Sequence, residues 1–393
     1  MEPDLSKLDA YLDKAGVDGY LIDADSRNSD QYYLSGFDAP DPFVTLYNGE
    51  VHLLFSRSLE YGRAKREARA ATVQRGSEFD YGRKIEQYGQ GEAQDRVLVE
   101  FLNQHGVSSV ATPPRFPLST ADGLREFGID VTPDDDGKVT EIRARKTDEE
   151  IDNIRDAQHA NEAAMARAAE LIASATPDED GHLHADGEVL TSERVKKEIE
   201  VTLLRHGCAL DETIVACGVD AADPHDRGSG PLQANEPIII DIFPRHKTTK
   251  YHSDMTRTFC HGEPSETLRE WYDLTAEAKA VALDALEPDV EGGEVHDAVC
   301  DVYEDADLPT LRSDPTTETG FIHSTGHGVG LDVHELPGVA PGADTLEPGH
   351  VVTIEPGLYD PDVGGVRIED IVVVTEDGYE NLTDYEESLV VGS

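Results

Sequence analysis

Hydrophobic spacing in the first part of the chain switches between a helical period and a period of two, which predicts helices interleaved with strands. Leu5, Leu8 and Leu12 predict a helix that stops at Gly16, and residues 19–23 then read as a strand. Apolar runs at 43–47 and 51–55 flank Asn48-Gly49, a strong hairpin signal. Helices are predicted near 94–104 and 121–126, each followed by a short strand, at 109–111 and 129–131. The acidic stretch 133–137 closes an α/β domain of residues 1–140, in which no catalytic cluster is visible.

Thr147 and Glu150 then form a capping box, and Ile151, Ile154 and the alanines that follow carry an apolar stripe toward Leu171. After an acidic loop at 176–187, in which His182 and His184 offer only adventitious metal binding, the chain runs through a similar order of elements twice. The first pass has helices at 148–173 and 193–206 and strands near 213–219, 236–241 and 254–260. The second has helices at 266–286 and 294–305, an extended loop at 321–335, and strands near 351–355 and 366–374. That order predicts a duplicated α+β unit over residues 145–393.

Chemistry concentrates in the second pass. In residues 321–337, FIHSTGHGVGLDVHELP, imidazoles and carboxylates fall among Gly326, Gly328 and Gly330, as in a ligand loop whose backbone packs closely around a site. Asp241 ends one apolar strand and Glu355 another. Asp254 opens a strand in which Thr256 and Thr258 share its face, and Glu369 shares a face with Arg367, Ile371 and Val373. Carboxylates directed inward among β-branched residues are costly unless paired or metal-bound. Four carboxylates and one neutral imidazole carry a charge of about −4, which two divalent cations offset; a structural zinc would use thiolate and imidazole instead. Oxygen and nitrogen donors of this kind suit Mn²⁺, Co²⁺ or Zn²⁺.

Composition narrows the partners. With 81 acidic against 33 basic residues and a net charge of −48, the chain repels phosphate, so nucleic acid and anionic membrane are excluded as partners. The acidity is spread along the whole chain, as on a surface suited to high salt. Cys208, Cys217, Cys260 and Cys300 have no CxxC spacing and read as free thiols in a reducing compartment. The N-terminus has no apolar leader and no run approaches the length of a membrane span, so a cytoplasmic protein is expected.

The ordered set GHGVGLDVHE (326–335), IIIDIF, DMTRTF, TIEPGLY (353–359) and VRIED (366–370) resembles the metallopeptidases of the pita-bread fold, in their prolidase and aminopeptidase P branch. The resemblance implies an α+β catalytic domain of two pseudo-repeated halves, preceded by a smaller creatinase-like α/β domain. It implies two divalent cations, Mn²⁺ or Co²⁺ before Zn²⁺, held by Asp241, Asp254, His327, Glu355 and Glu369. Glu355 would also manage protons, and His225 and His334 would bind substrate and stabilise the tetrahedral intermediate. His323 and Arg367 would support substrate or ligands. The implied substrates are small peptides with proline in second position, and the implied assembly is a homodimer.

Two departures stand out. Asp241 and Asp254 are thirteen residues apart where the family usually has eleven, so residues 244–252 must form a longer hairpin, with His246 or His252 near the site mouth. Residues 336–339, LPGV, lack the arginine with which some prolidases capture a dipeptide carboxylate, which leaves Arg245, Arg257 or Arg367 to supply the charge and makes longer Xaa-Pro substrates plausible. The rival readings are a metal-free, creatinase-like hydrolase and a silent peptide-binding module. Both are disfavoured by a full set of ligands.

Overall fold

The computed structural model describes residues 3–210 and 212–392, which divide into two compact units between Arg143 and Ala144. In the first unit, a six-stranded mixed sheet runs in the order Thr72–Arg75, Val51–Phe55, Phe43–Tyr47, Gly19–Ala24, Ser109–Thr112, Asp130–Pro133. Leu21, Leu46, Val97, Phe101 and Leu124 make its main core, and Phe37, Phe43 and Phe55 a smaller one. The Leu8 and Leu12 helix is present as Ser6–Ala15, ended by Gly16 at φ 69°. The hairpin is present too, but its turn takes three residues: Tyr47 pairs with Val51, and the Asn48 N–H donates to the Glu50 carbonyl.

The second unit contains the two passes. Helices Asp148–Ala173 and Ser192–Arg205 cover one face of the antiparallel sheet formed by Ile214–Cys217, Ile238–Ile242 and Met255–Phe259. Helices Glu266–Asp284 and Gly292–Asp305 cover a five-stranded sheet ordered Glu335–Val339, Gly326–Gly328, Val351–Ile354, Asp370–Thr375, Gly378–Asn381. The capping box forms as predicted, with the Thr147 side chain accepting from the Glu150 N–H and the Glu150 carboxylate accepting from the Thr147 N–H.

Strand alternation fixes what each sheet shows to the helices. Ile238, Ile240 and Ile242 pack under the first helix pair, and Val352, Ile354, Val372 and Val374 under the second. Residues of opposite parity, Asp241 and Thr353 among them, therefore face away from the helices.

Three expectations need correction. Residues 176–187 are not a loop: Thr176–Pro177, Leu183–Ala185 and Glu188–Val189 form a small sheet whose turns use Gly181, Asp186 and Gly187 at positive φ. The glycine-rich stretch is not wholly loop either, because Gly326–Gly328 lies between two strands of the five-stranded sheet. A Cβ at Gly326 would stand 1.9 Å from the Thr353 carbonyl oxygen, so only glycine permits that approach. Residues 366–374 are not one strand: Gly364–Arg367 pairs with Gly357–Asp360 and Asp370–Thr375 with Val351–Ile354. The break arises because the Glu369 N–H donates to the Thr256 carbonyl of the other sheet. Among the described residues, no helix is long and apolar enough to cross a membrane.

Candidate metal centre and substrate cavity

A cavity of about 630 Å³ opens on the faces of the two sheets turned from the helices. Asp241, Asp254, His327, Glu355 and Glu369 all line it, as do His225, His323, His334 and Arg367. Ligand-type atoms of Asp254, His327 and Glu369 lie within 4.8 Å of one another. His327 Nε2 is 3.3 Å from Glu355 Oε1 and 3.8 Å from Asp254 Oδ2.

Three of the four carboxylates are held by hydrogen bonds from their neighbours. Thr256 donates from Oγ1 to Glu369 Oε2 at 2.7 Å, and Thr353 donates from Oγ1 to Glu355 Oε1 at 3.2 Å. Arg367 donates from Nη2 to Asp241 Oδ2 at 2.8 Å, from Nε to Thr256 Oγ1 at 3.1 Å and from Nη1 to the Tyr359 hydroxyl at 2.9 Å. The opposite oxygens Asp241 Oδ1 and Asp254 Oδ1 are buried with no hydrogen-bond partner.

Such crowding shifts protonation. Burial, followed by the charges of Glu369, Asp241 and Glu355, pushes Asp254 well above the usual carboxylate range. Burial and the charges of Glu355 and Asp241 do the same to Glu369. Burial raises Glu355 to about 7, against the pull of Arg367. Burial lowers His327 and His334, and burial with Arg367 takes His323 down to about 3, so these imidazoles are neutral. Neutral imidazole beside clustered carboxylates with unpartnered oxygens is a donor set that fits divalent cations.

His334 packs its ring edge-on to His327, with centroids 4.3 Å apart. His323 lies 3.0 Å through Nε2 from the Tyr359 hydroxyl, which links it to Arg367. His225 is on the exposed rim. Thr256 and Tyr359 join the site as well: Thr256 is signalled by the strand face it shares with Asp254, and Tyr359 only by its place in the TIEPGLY motif. Arg227 and Glu212, paired with each other at the cavity mouth, had no sequence signal.

The three arginines proposed for a dipeptide carboxylate do not provide it freely. Arg257 is buried against Asp370, Arg367 is committed to Asp241 and Tyr359, and Arg245 is not among the lining residues. Nor do His246 and His252 line the cavity: His246 faces Thr249 through Nδ1, and the His252 backbone N–H is held by the Gly330 carbonyl. Asp178, Asp180 and His182 also approach one another, on the surface hairpin of the second unit, where acidic groups cluster without need of an ion. The four cysteines are free, three of them buried.

The family profile described as Metallopeptidase family M24 matches residues 152–376, and that of the Creatinase/Prolidase N-terminal domain matches residues 5–145. The Xaa-Pro dipeptidase of Pyrococcus horikoshii is 28% identical over 99% of both chains. Among solved structures, the Xaa-Pro dipeptidase from Bacillus anthracis superposes with a TM-score of 0.81 at 26% identity, covering 98% of each chain. The X-Pro aminopeptidase from Thermotoga maritima does so with a TM-score of 0.77 at 25% identity, covering 96% of this chain and 98% of its own.

Proposed function

The chain belongs to metallopeptidase family M24 and is a peptide-bond hydrolase, and from that premise we propose that it cleaves the bond before proline using two divalent cations. The observation that carries this reading is the convergence of Asp241, Asp254, His327, Glu355 and Glu369 on one cavity. Asp241, Asp254, His327, Glu355 and Glu369 would hold the cations. Mn²⁺ or Co²⁺ is the first choice. The cations supply Lewis acidity, polarising a carbonyl and making water nucleophilic near neutral pH.

The chain's own groups do the rest. Glu355 carries a proton from the attacking water to the imino nitrogen of the departing proline. His334 donates to the oxygen that becomes negative in the tetrahedral state, and His225 holds the substrate from the rim. Arg367 keeps Asp241 in place through their 2.8 Å contact, and the Tyr359 hydroxyl ties His323 to the same guanidinium.

Dipeptides are the first choice of substrate, supported by the full-length similarity to Xaa-Pro dipeptidases. A second reading, as an aminopeptidase P, is favoured by the absence of arginine from residues 336–339. A homodimer is proposed from the same resemblance, and a cytoplasmic location from the free thiols. The test is Glu369→Ala beside exhaustive chelation: both should abolish cleavage, with Mn²⁺ restoring only the chelated wild type. Full activity in either would contradict the reading.

A further inference from the structure

The turn that carries His334 is built around a buried ion pair. Glu335 folds back over Gly330, where a Cβ would stand 2.2 Å from Glu335 Oε1, and its Oε2 accepts from the Asp332 N–H at 3.3 Å. Into this closed turn comes Lys146, whose Nζ donates to Glu335 Oε1 at 2.6 Å; the two side chains are 1% and 2% exposed. Glu335, the first residue of the strand Glu335–Val339, is anchored inside the turn, and the residue before it, His334, lines the cavity.

The insert at 244–252 reaches the same turn. It closes as a hairpin, with the His246 N–H donating to the Tyr251 carbonyl at 2.8 Å. Its far end docks twice. The His252 N–H donates to the Gly330 carbonyl at 2.7 Å, and the Tyr251 hydroxyl donates to Glu150 Oε1 at 2.6 Å. Glu150 is the capping-box residue, its Oε2 accepting from the Thr147 N–H. One segment, residues 146–150, therefore holds both the His334 turn and the insert beside it.

We infer that Lys146 is a positioning residue for His334, with the 244–252 insert as its second brace. The inference rests on the reading of His334 as the group that meets the tetrahedral oxygen. Removing the ammonium takes away the cation that donates to the buried Glu335 Oε1. The turn then relaxes to hydrate Glu335, and His334 loses its orientation.

The experiment compares the Mn²⁺-loaded full chain with Lys146→Met, Lys146→Arg and Tyr251→Phe. Asp30→Ala, which loses the Arg143 ion pair within the first unit, serves as a control destabilised in the unit that does not line the cavity. For Lys146→Met, kcat on an Xaa-Pro dipeptide should fall about 10–100-fold with KM changed less than about threefold. Lys146→Arg should recover most of that loss, Tyr251→Phe should show a smaller loss of the same kind, and Asp30→Ala should melt earlier with kcat unchanged. Amide hydrogen exchange at residues 329–336, measured without substrate, should accelerate by about tenfold or more in Lys146→Met.

Unchanged kcat in Lys146→Met, or an equal loss in Asp30→Ala, would overturn the inference. Should Lys146→Met fail to fold, Tyr251→Phe decides by the same readouts. If the wild type cleaves no prolyl peptide, the proposed function falls by itself. The brace is then judged by exchange alone, acceleration upholding it and no change overturning it.

Discussion

Arg257 donates from Nη2 to Asp370 Oδ1 at 2.9 Å, with side chains 1% and 4% exposed. Lys279 takes the other carboxylate oxygen at 2.5 Å, and Arg257 Nη1 donates to the Glu369 carbonyl at 2.6 Å. The backbone of Glu369, a proposed metal ligand, is thus fixed from behind by a buried cluster of charges. Asp370→Asn should cost about 3–5 kcal/mol, because it leaves the buried Arg257 without its carboxylate and Lys279 with Glu387 alone. The denaturant midpoint reads this directly. The double variant Asp370→Asn/Lys279→Met should lose less than the sum of the single changes, since the two side chains are in contact.

Acid should loosen the first unit before the carboxylates titrate. His52 and His105 stack with ring centroids 3.9 Å apart. Burial and the neighbouring His105 lower His52 to about 4, and burial lowers His105. A histidine whose folded pKa is depressed stabilises the fold above its unfolded value of about 6.5, and that contribution is lost as pH falls from there toward 4. Protection factors of amides in Val51–Phe55, taken against the intrinsic exchange rate at each pH, should therefore fall as pH drops across this window, and His52→Gln should flatten the dependence. An identical slope in the variant would contradict the assignment.

Salt should stabilise the protein. A net charge of −48 repels itself, and at 1 M salt the screening length is about 3 Å. The melting temperature should rise steadily with KCl into the molar range. A flat or falling curve would mean that the acidic surface is not an adaptation to salt.

Much of this was legible because local signals agreed with the fold. The capping box at Thr147 and Glu150 started its helix where expected, and apolar strands ending in Asp241 and Glu355 marked which side chains face the cavity. What was missed depends on distant partners. Nothing in residues 366–374 announces the break at Ile368 and Glu369, because it is made by a hydrogen bond to Thr256. The position of His252 is equally non-local, set by the Gly330 carbonyl. Short helices such as Ser29–Ser35 and Tyr61–Glu67 span too few turns for periodicity to show. The first still had a readable start, since Asn28 accepts from the Gln31 N–H.

The central claim is a metal-dependent cut before proline, and release of the free N-terminal residue tests it most directly. The purified chain, with Mn²⁺ or Co²⁺ in molar KCl, would be given an Xaa-Pro dipeptide, the corresponding Xaa-Pro-Yaa tripeptide, and an Xaa-Ala dipeptide as control. The account predicts proline from the dipeptide, little cleavage of the Xaa-Ala control, and no reaction after chelation. Cleavage of the tripeptide as well would shift the assignment to an aminopeptidase P. Intact Xaa-Pro peptides in the presence of bound metal, or equal cleavage of Xaa-Ala, would contradict it.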